Sequence, residues 1–295
     1  MSYVLAIGDR TYSSWSLRAW LLFEAFDVPV TVRLAHMRTP EFADVLAGFG
    51  AARTVPAVQF EHGALWDSMA ILETLAERHP EAGYWPTGGP ARAVARNLVA
   101  EMHAGFADLR RDCPMMLRSA FVGFEPGDGV EADLHRICQI WTIARGHQTD
   151  GPWLFGSYTA ADAYFAPVAA RIAAYGLQVP AKDRAYVDAH LHHPSFRRWR
   201  AMALADAHVQ TQYEIDLKPQ PWPGPPAIPA VAVSEGVPVN PHCPFSGKPV
   251  AADALARIDG KIVGFCNTFC REKSVADPAA WPEVMALIAR NGAYS

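Results

Sequence analysis

Two rhythms of apolar and polar positions run along the chain. Residues 3–8 and 29–34 (PVTVRL) are short apolar runs that predict strands, whereas 14–26 spaces its apolar residues along one face of a helix. A short helix is expected near 40–47. The stretch TVPAVQFEHGALWDSMAILETLAERHP predicts two short strands joined by a turn at His62 and Gly63, then a helix that starts near Asp67 and stops before Pro80. Strands alternating with helices imply a sheet with parallel pairing, and the whole makes a βαβαββα unit over residues 1–82.

From Pro90 onward the rhythm is helical only. PARAVARNLVAEMHAGFADLRRDCP places Pro at a helix start, carries Val94, Leu98, Met102, Phe106 and Leu109 on one face, and predicts one helix closing before Pro114. Further helices are expected over 129–149, from Thr159 to Tyr175 with Gly176 as the residue after the cap, and as a pair within 183–206. Thr159 and Asp162 have the spacing of a capping box, a folding device to which no chemistry is assigned. An all-helical domain over 90–212 follows. Residues 218–241 hold eight of the 24 prolines, which excludes a helix or a central strand. They are expected to be extended, as a linker over 213–240 or a strap across the preceding domain. Residues 241–295 read as a small separate α+β module.

The composition narrows the partners. A chain of 295 residues with a formal charge of -4 and no long basic run speaks against nucleic acid and against an anionic membrane surface. No segment has the roughly 18 uninterrupted apolar residues of a membrane helix, and MSYVLAIGDR lacks the basic start of a signal peptide. A cytoplasmic protein acting on small molecules or proteins is the expectation. Five cysteines, an odd number, do not make a disulfide framework in that compartment.

Chemistry concentrates at the first strand-to-helix junction, TYSSWSLRAW, where Ser13, Ser14 and Ser16 meet a helix N-terminus. Serine there caps the helix, and the same end of the helix attracts an anion. Asp67 and Ser68, at the start of the third expected helix, read as an N-cap pair. The order of TVPAV, WDS and GSYTAAD around these serines resembles the cytosolic glutathione S-transferases over about residues 1–212, with YSSWSLR similar to the zeta class. The resemblance implies a thioredoxin-like α/β domain followed by an all-α domain, a cis-proline at Val55–Pro56, and glutathione as co-substrate. It implies that the glutathione thiol sits near Ser13, with Ser14 and Tyr12 as the other candidates for catalytic hydroxyl. Trp15, Val55, Pro56, Asp67 and Ser68 would contact glutathione. Arg53 would do so from a position shifted relative to the family's usual Lys or Gln, or that contact is missing. His103, Phe106, Arg110 and Met115 would line the acceptor side, unless the apolar pair merely packs. Trp15 stands where zeta enzymes carry cysteine, which argues against cysteine redox chemistry. A homodimer is the family's usual state. Lowering a thiol pKa by about two units takes about 2.7 kcal/mol of preferential thiolate stabilisation, within reach of one hydroxyl and a helix end.

In the tail, Cys243, Cys266 and Cys270 are separated by 22 and then three residues. With DGKIVGFCNTFC and DPAAWP they resemble the small YHS or TRASH-type metal-binding domains, a β-hairpin followed by a helix. Three thiolates suit zinc or copper, with His242 the nearest fourth ligand. The plain alternative is three cysteines packed as small hydrophobes. Two functions therefore stand: a glutathione-dependent transferase attacking a small electrophile, with a metal-binding module; or a non-catalytic metal sensor or metallochaperone whose transferase-like part binds glutathione or a partner.

Overall fold

The computed structural model describes residues 2–147 and 150–290. The end of the expected 129–149 helix (Gln148 and Thr149) and the last five residues of the tail lie outside them.

β1 (Tyr3–Ile7), α1 (Ser14–Glu24), β2 (Val30–Leu34), α2 (Glu41–Leu46), β3 (Ala57–Phe60), β4 (Gly63–Trp66) and α3 (Ser68–Arg78) form the first layer pair. The sheet order is β2-β1-β3-β4. β1 runs parallel to β2, from Tyr3 opposite Val30 to Ile7 opposite Leu34, and antiparallel to β3, which pairs antiparallel with β4. The central β1 buries Leu5, Ala6 and Ile7 completely, as a strand covered on both faces must. This is a thioredoxin-like unit, and the Val55–Pro56 bond is cis.

The helical part comprises α4 (Gly89–Ala104), α5 (Ala107–Asp112), α6 (Asp128–Arg145), α7 (Ala160–Ala174), α8 (Ala181–His192) and α9 (Pro194–Ala205), with a short strand β5 (Ala120–Val122) after α5. α7 is buried along its entire length and packs against α1 and α4. A helix apolar on all sides belongs in a core. The single helix expected from Pro90 to Cys113 is two. At Gly105 a Cβ would lie 2.8 Å from the Glu101 carbonyl oxygen, and Phe106 takes φ +62°, so the chain turns there and restarts.

The Thr159–Asp162 capping box is formed. Asp162 is fully buried and its carboxylate accepts from Thr159 N (2.8 Å), Thr159 Oγ1 (2.9 Å), Leu154 N (3.2 Å) and Tyr186 OH (2.9 Å). Burial pushes its pKa up to about 6 against the pull of those donors.

Beyond α9 come β6 (Lys218–Gln220), β7 (Ala230–Val233), β8 (Leu255–Ile258), β9 (Lys261–Gly264), α10 (Thr268–Ala276) and α11 (Pro282–Arg290). β6 pairs antiparallel with β5, and β7-β8-β9 form an antiparallel sheet. β6, which carries Pro219, and β7, which follows the proline-rich stretch, are both edge strands, and on an edge the missing N–H of Pro219 is tolerated. The chain divides into two compact units: residues 1–191 with 208–223, and residues 192–207 with 224–295. This differs from the expected boundaries at both α9 and β7. α9 lies in the second unit, where Ala201 joins a core of Ala254, Ala256, Ile258, Val263, Phe265, Trp281, Val284 and Ile288. Arg197 clamps Asp277 through Nε (2.8 Å) and Nη2 (2.7 Å) of one guanidinium edge, and Arg198 donates to the Ala280 carbonyl. No helix among the described residues is long and apolar enough to cross a membrane.

Replacing Asp162 with Ala strands four buried donors, each costing about 1–3 kcal/mol if left unsatisfied. Asp162→Ala is expected to lower unfolding stability by about 3 kcal/mol, water entry offsetting part of the sum. Chemical denaturation at neutral pH measures it, and an unchanged midpoint would remove the box's structural role.

Candidate functional site

The turn between β1 and α1 is built from backbone hydrogen bonds: the N–H groups of Tyr12 and Ser13 both donate to the Asp9 carbonyl. It delivers Ser13 as the N-cap of α1, with Oγ accepting from Ser16 N at 3.3 Å. The Ser13 hydroxyl also lies 2.8 Å from Ser16 Oγ, which receives the Gly8 N–H at 2.8 Å. Gly8 N–H and the Ser13 hydroxyl thus both donate to Ser16 Oγ, beside the positive pole of α1.

Ser13 opens onto a cleft of about 490 Å³ lined by Trp15, Met37, Arg38, Phe42, Thr54, Val55, Pro56, Asp67, Ser68 and Tyr213. Six residues expected from sequence therefore meet here: Ser13, Trp15, Val55, Pro56, Asp67 and Ser68. Asp67 is the N-cap of α3 and accepts from Met69 N at 2.7 Å. Its φ of +84° is costly for a side chain other than glycine, about 1–3 kcal/mol. Such strain is retained where geometry matters. His103 reaches the same corner, with Nε2 3.3 Å from the Asp67 carboxylate and Nδ1 3.5 Å from Ser68 Oγ. Burial holds its pKa below the ordinary value, with Arg18 and Arg110 adding to the effect and Asp67 opposing it.

Behind Trp15 lies positive charge. The Arg18 guanidinium stands 4.7 Å and that of Arg110 5.2 Å from the indole centroid. Arg18 is fully buried, faces Tyr164 as well, and none of its guanidinium nitrogens has a hydrogen-bond acceptor among the described residues. Desolvation, then Arg110 and Arg171, push its pKa well down.

The remaining expected residues sit elsewhere. Ser14 and Tyr12 are buried and do not line the cleft. The Tyr12 ring stacks on Tyr213 (5.0 Å), and its hydroxyl accepts from Gln210 N at 3.4 Å. Arg53 is exposed and outside the cleft, which Arg38 lines instead. None of the four acceptor-side residues lines it. Phe106 and Met115 are core residues, Arg110 caps the end of α4 through the Met102 and Gly105 carbonyls, and His103 serves the Asp67 corner. Apolar side chains at helical spacing cannot be divided between core and pocket from sequence. Met37, Arg38, Phe42 and Thr54 were missed, although Thr54 is the first residue of the TVPAV motif. Tyr213 had no local signal.

In the second unit the Sγ atoms of Cys243, Cys266 and Cys270 lie within 4.8 Å of one another, and His242 is not part of the group. Cys243 occupies the CPFSGK turn, whose ends are joined by Cys243 N to Lys248 O and Gly247 N to Cys243 O. Burial raises its thiol pKa, but N–H donors of Phe245, Cys266 and Ser246 with the Ser246 hydroxyl outweigh that and bring it to about 7. Cys270 follows the N-cap Asn267, and burial beside Cys243 pushes it up to about 12. Cys266 Sγ accepts from Ser246 Oγ (3.2 Å) and Asn267 Nδ2 (3.3 Å).

Residues 12–78 match the glutathione S-transferase N-terminal domain. A maleylacetoacetate isomerase from Dictyostelium discoideum is 26% identical over 91 residues, 30% of this chain. The chain spans 42% of the length of that curated relative. Among solved structures, a glutathione transferase homologue from Burkholderia BGR1 with bound glutathione superposes with a TM-score of 0.54 at 22% identity, over 70% of this chain and all of that one. Glutathione transferase Omega 3C from Trametes versicolor gives 0.52 at 18% identity, over 68% of this chain and 88% of that one. The glutathione transferase fold is thereby shared by about two thirds of the chain.

A histidine whose folded pKa is depressed takes up its proton first in the unfolded chain, so stability is expected to fall as pH drops through about 6.5. His103→Asn is expected to flatten that part of the stability–pH curve. Denaturant midpoints across the interval measure it, and an unchanged slope would place the titration elsewhere.

Proposed function

We propose that the cleft binds glutathione and activates its thiol for attack on a small electrophile. The observation that carries this reading is the convergence, in one cleft, of the α1 N-cap Ser13, the Val55–Pro56 edge and the Asp67–Ser68 cap of α3. The match of residues 12–78 and the glutathione-bound Burkholderia neighbour support it. In this reading the main chain of Val55 pairs with the cysteinyl backbone of the tripeptide as an added strand. The γ-glutamyl carboxylate rests on Ser68 at the N-terminus of α3, and its ammonium faces Asp67. His103, held neutral by burial, does not compete with that ammonium as a cationic partner of Asp67.

The thiol loses its proton to solvent, and three local features favour the resulting thiolate: the α1 dipole, the Ser13 hydroxyl, and the buried Arg18 and Arg110 charges. The Ser13 hydroxyl, which donates to Ser16 Oγ in the structure, turns towards the cleft to hydrogen-bond the sulfur and keeps its proton. The Ser16 hydroxyl, already fed by Gly8 N–H, turns to donate to Ser13 Oγ. The sulfur lone pair then forms the new C–S bond as the electrophile's leaving group or π electrons depart.

The three thiols of the second unit form a set for one soft or borderline ion, zinc or Cu(I), held by Cys243, Cys266 and Cys270. The CPFSGK turn supports this, because backbone N–H groups converging on Cys243 Sγ favour a thiolate ligand. The remaining position falls to solvent or another donor, since His242 is outside the group. Such an ion would fasten the turn to α10 and add folding free energy to a small module.

Ser13→Ala is expected to lower turnover about 10- to 1,000-fold, the range for one donor aimed at developing charge, with glutathione affinity nearly unchanged. Conjugation assays over several electrophiles, beside glutathione-agarose retention, measure both. Retention without turnover in the parent protein would favour a non-catalytic role.

Protein purified without chelator is expected to carry about one equivalent of zinc or copper more than the Cys266→Ser/Cys270→Ser variant. Less than a tenth of an equivalent by elemental analysis, with chelator leaving protease resistance unchanged, would make the cysteines packing residues.

A further inference from the structure

We propose that Asp9, His36 and His208 form a separate metal site for a borderline divalent ion such as zinc, nickel or cobalt. The three residues come from the β1–α1 turn, the segment just after β2 and the segment that returns from α9. Their ligand atoms nevertheless lie within 4.8 Å of one another. His36 Nδ1 is 2.7 Å and His208 Nδ1 2.6 Å from the same carboxylate oxygen, Asp9 Oδ1. The two imidazoles stand 4.1 Å apart, inclined at 36°. Two ring nitrogens and a carboxylate oxygen grouped this closely can all reach a single ion placed among them.

The outer contacts fit as well. Asp9 Oδ2 accepts from Met37 N (2.9 Å) and from Gln210 Nε2 (3.1 Å), which stops the carboxylate rotating and turns Oδ1 towards the imidazoles. Ligating carboxylates are oriented in this manner by hydrogen bonds to their second oxygen. Asp9 itself is buried, while the histidine side chains are 32% and 29% exposed, leaving an entry path and room for a water ligand.

Two imidazoles and one carboxylate select against magnesium and calcium, which prefer all-oxygen shells, and against Cu(I), which prefers sulfur. With bonds of about 2.0–2.2 Å to such an ion, ligand atoms lie about 3.0 Å apart at right angles and about 3.4 Å apart at the tetrahedral angle, so the two short N···O contacts must open by about 0.3–0.8 Å. No net proton need be lost: a neutral imidazole moves its proton from Nδ1 to Nε2 as Nδ1 takes the metal. The ion would fasten the return segment to the thioredoxin-like sheet. Met37, whose N–H holds Asp9, and Tyr213, three residues after Gln210, both line the cleft.

The test is a cobalt(II) titration of the full chain beside His36→Gln and His208→Gln, which keep a polar group near Asp9 but ligate poorly. Wild type is expected to take up one equivalent more than either variant, with ligand-field absorption but without added thiolate charge transfer. Cobalt should raise the thermal midpoint of wild type more than that of the variants. Wild type with its thiols alkylated is expected to retain that equivalent, which makes the result independent of variant folding and of whether the cysteines bind metal. Equal uptake by all three chains, or none by the alkylated protein, would overturn the site and leave the three residues as a hydrogen-bonded clamp.

Discussion

Burial of α1 on every side is the constraint from which the rest of the first unit follows. The helix packs against β1, α3 and α7, and Leu17, Ala19, Leu21, Leu22 and Phe23 are wholly excluded from water. A helix so confined cannot slide or rotate, so its N-terminus points at one fixed place. Ser13 and Ser16 inherit that precision, and the contacts of Gly8 and Ser13 with Ser16 hold because no member can move away. Confinement also forces Arg18 into an interior where it has no anionic partner among the described residues. Desolvating a guanidinium in this manner opposes folding, and the charge is felt strongly at the cleft because the same interior screens it weakly.

Much of this was legible in the sequence wherever one residue's backbone role coincides with its chemistry. Ser13 and Asp67 are helix caps, and capping has a local grammar; the same positions point side chains into the cleft. Strand and helix order followed from periodicity for the same reason, since burial on one or both faces writes itself along the chain. Phe106 and Met115 resisted, because an apolar side chain reads identically whether it faces a core or a ligand. The break at Gly105 and Phe106 was hidden by a heptad-like spacing that continues across it. Asp9, His36, His208, Gln210 and Tyr213 carry no shared local pattern. They are brought together only by the course of the chain after α9.

The second unit illustrates how a small module acquires enough core. Residues 224–290 contribute one short sheet and two helices, with a hydrophobic cluster centred on Phe265 and Trp281. Trp281 donates to the Lys273 carbonyl at 3.0 Å, and the Lys273 ammonium lies over the rings of Phe245 and Trp281. α9 adds an apolar face and the Arg197–Asp277 clamp. A module of this size buries a modest fraction of its surface by itself, so a borrowed helix supplies what a larger chain would provide internally.

The order in which the chain visits the two units bears on its synthesis. It leaves the first after Leu191, builds α9, returns at His208, and leaves again after Pro223. Neither unit is a contiguous stretch. On the ribosome α9 emerges before the segment carrying His208 and Tyr213, yet its partners follow some twenty residues and more later, so it waits with its apolar face uncovered. The first unit is likewise incomplete until residues 208–223 appear. Completion of each therefore depends on the other's sequence having been made, and no single cut in the chain yields two intact halves.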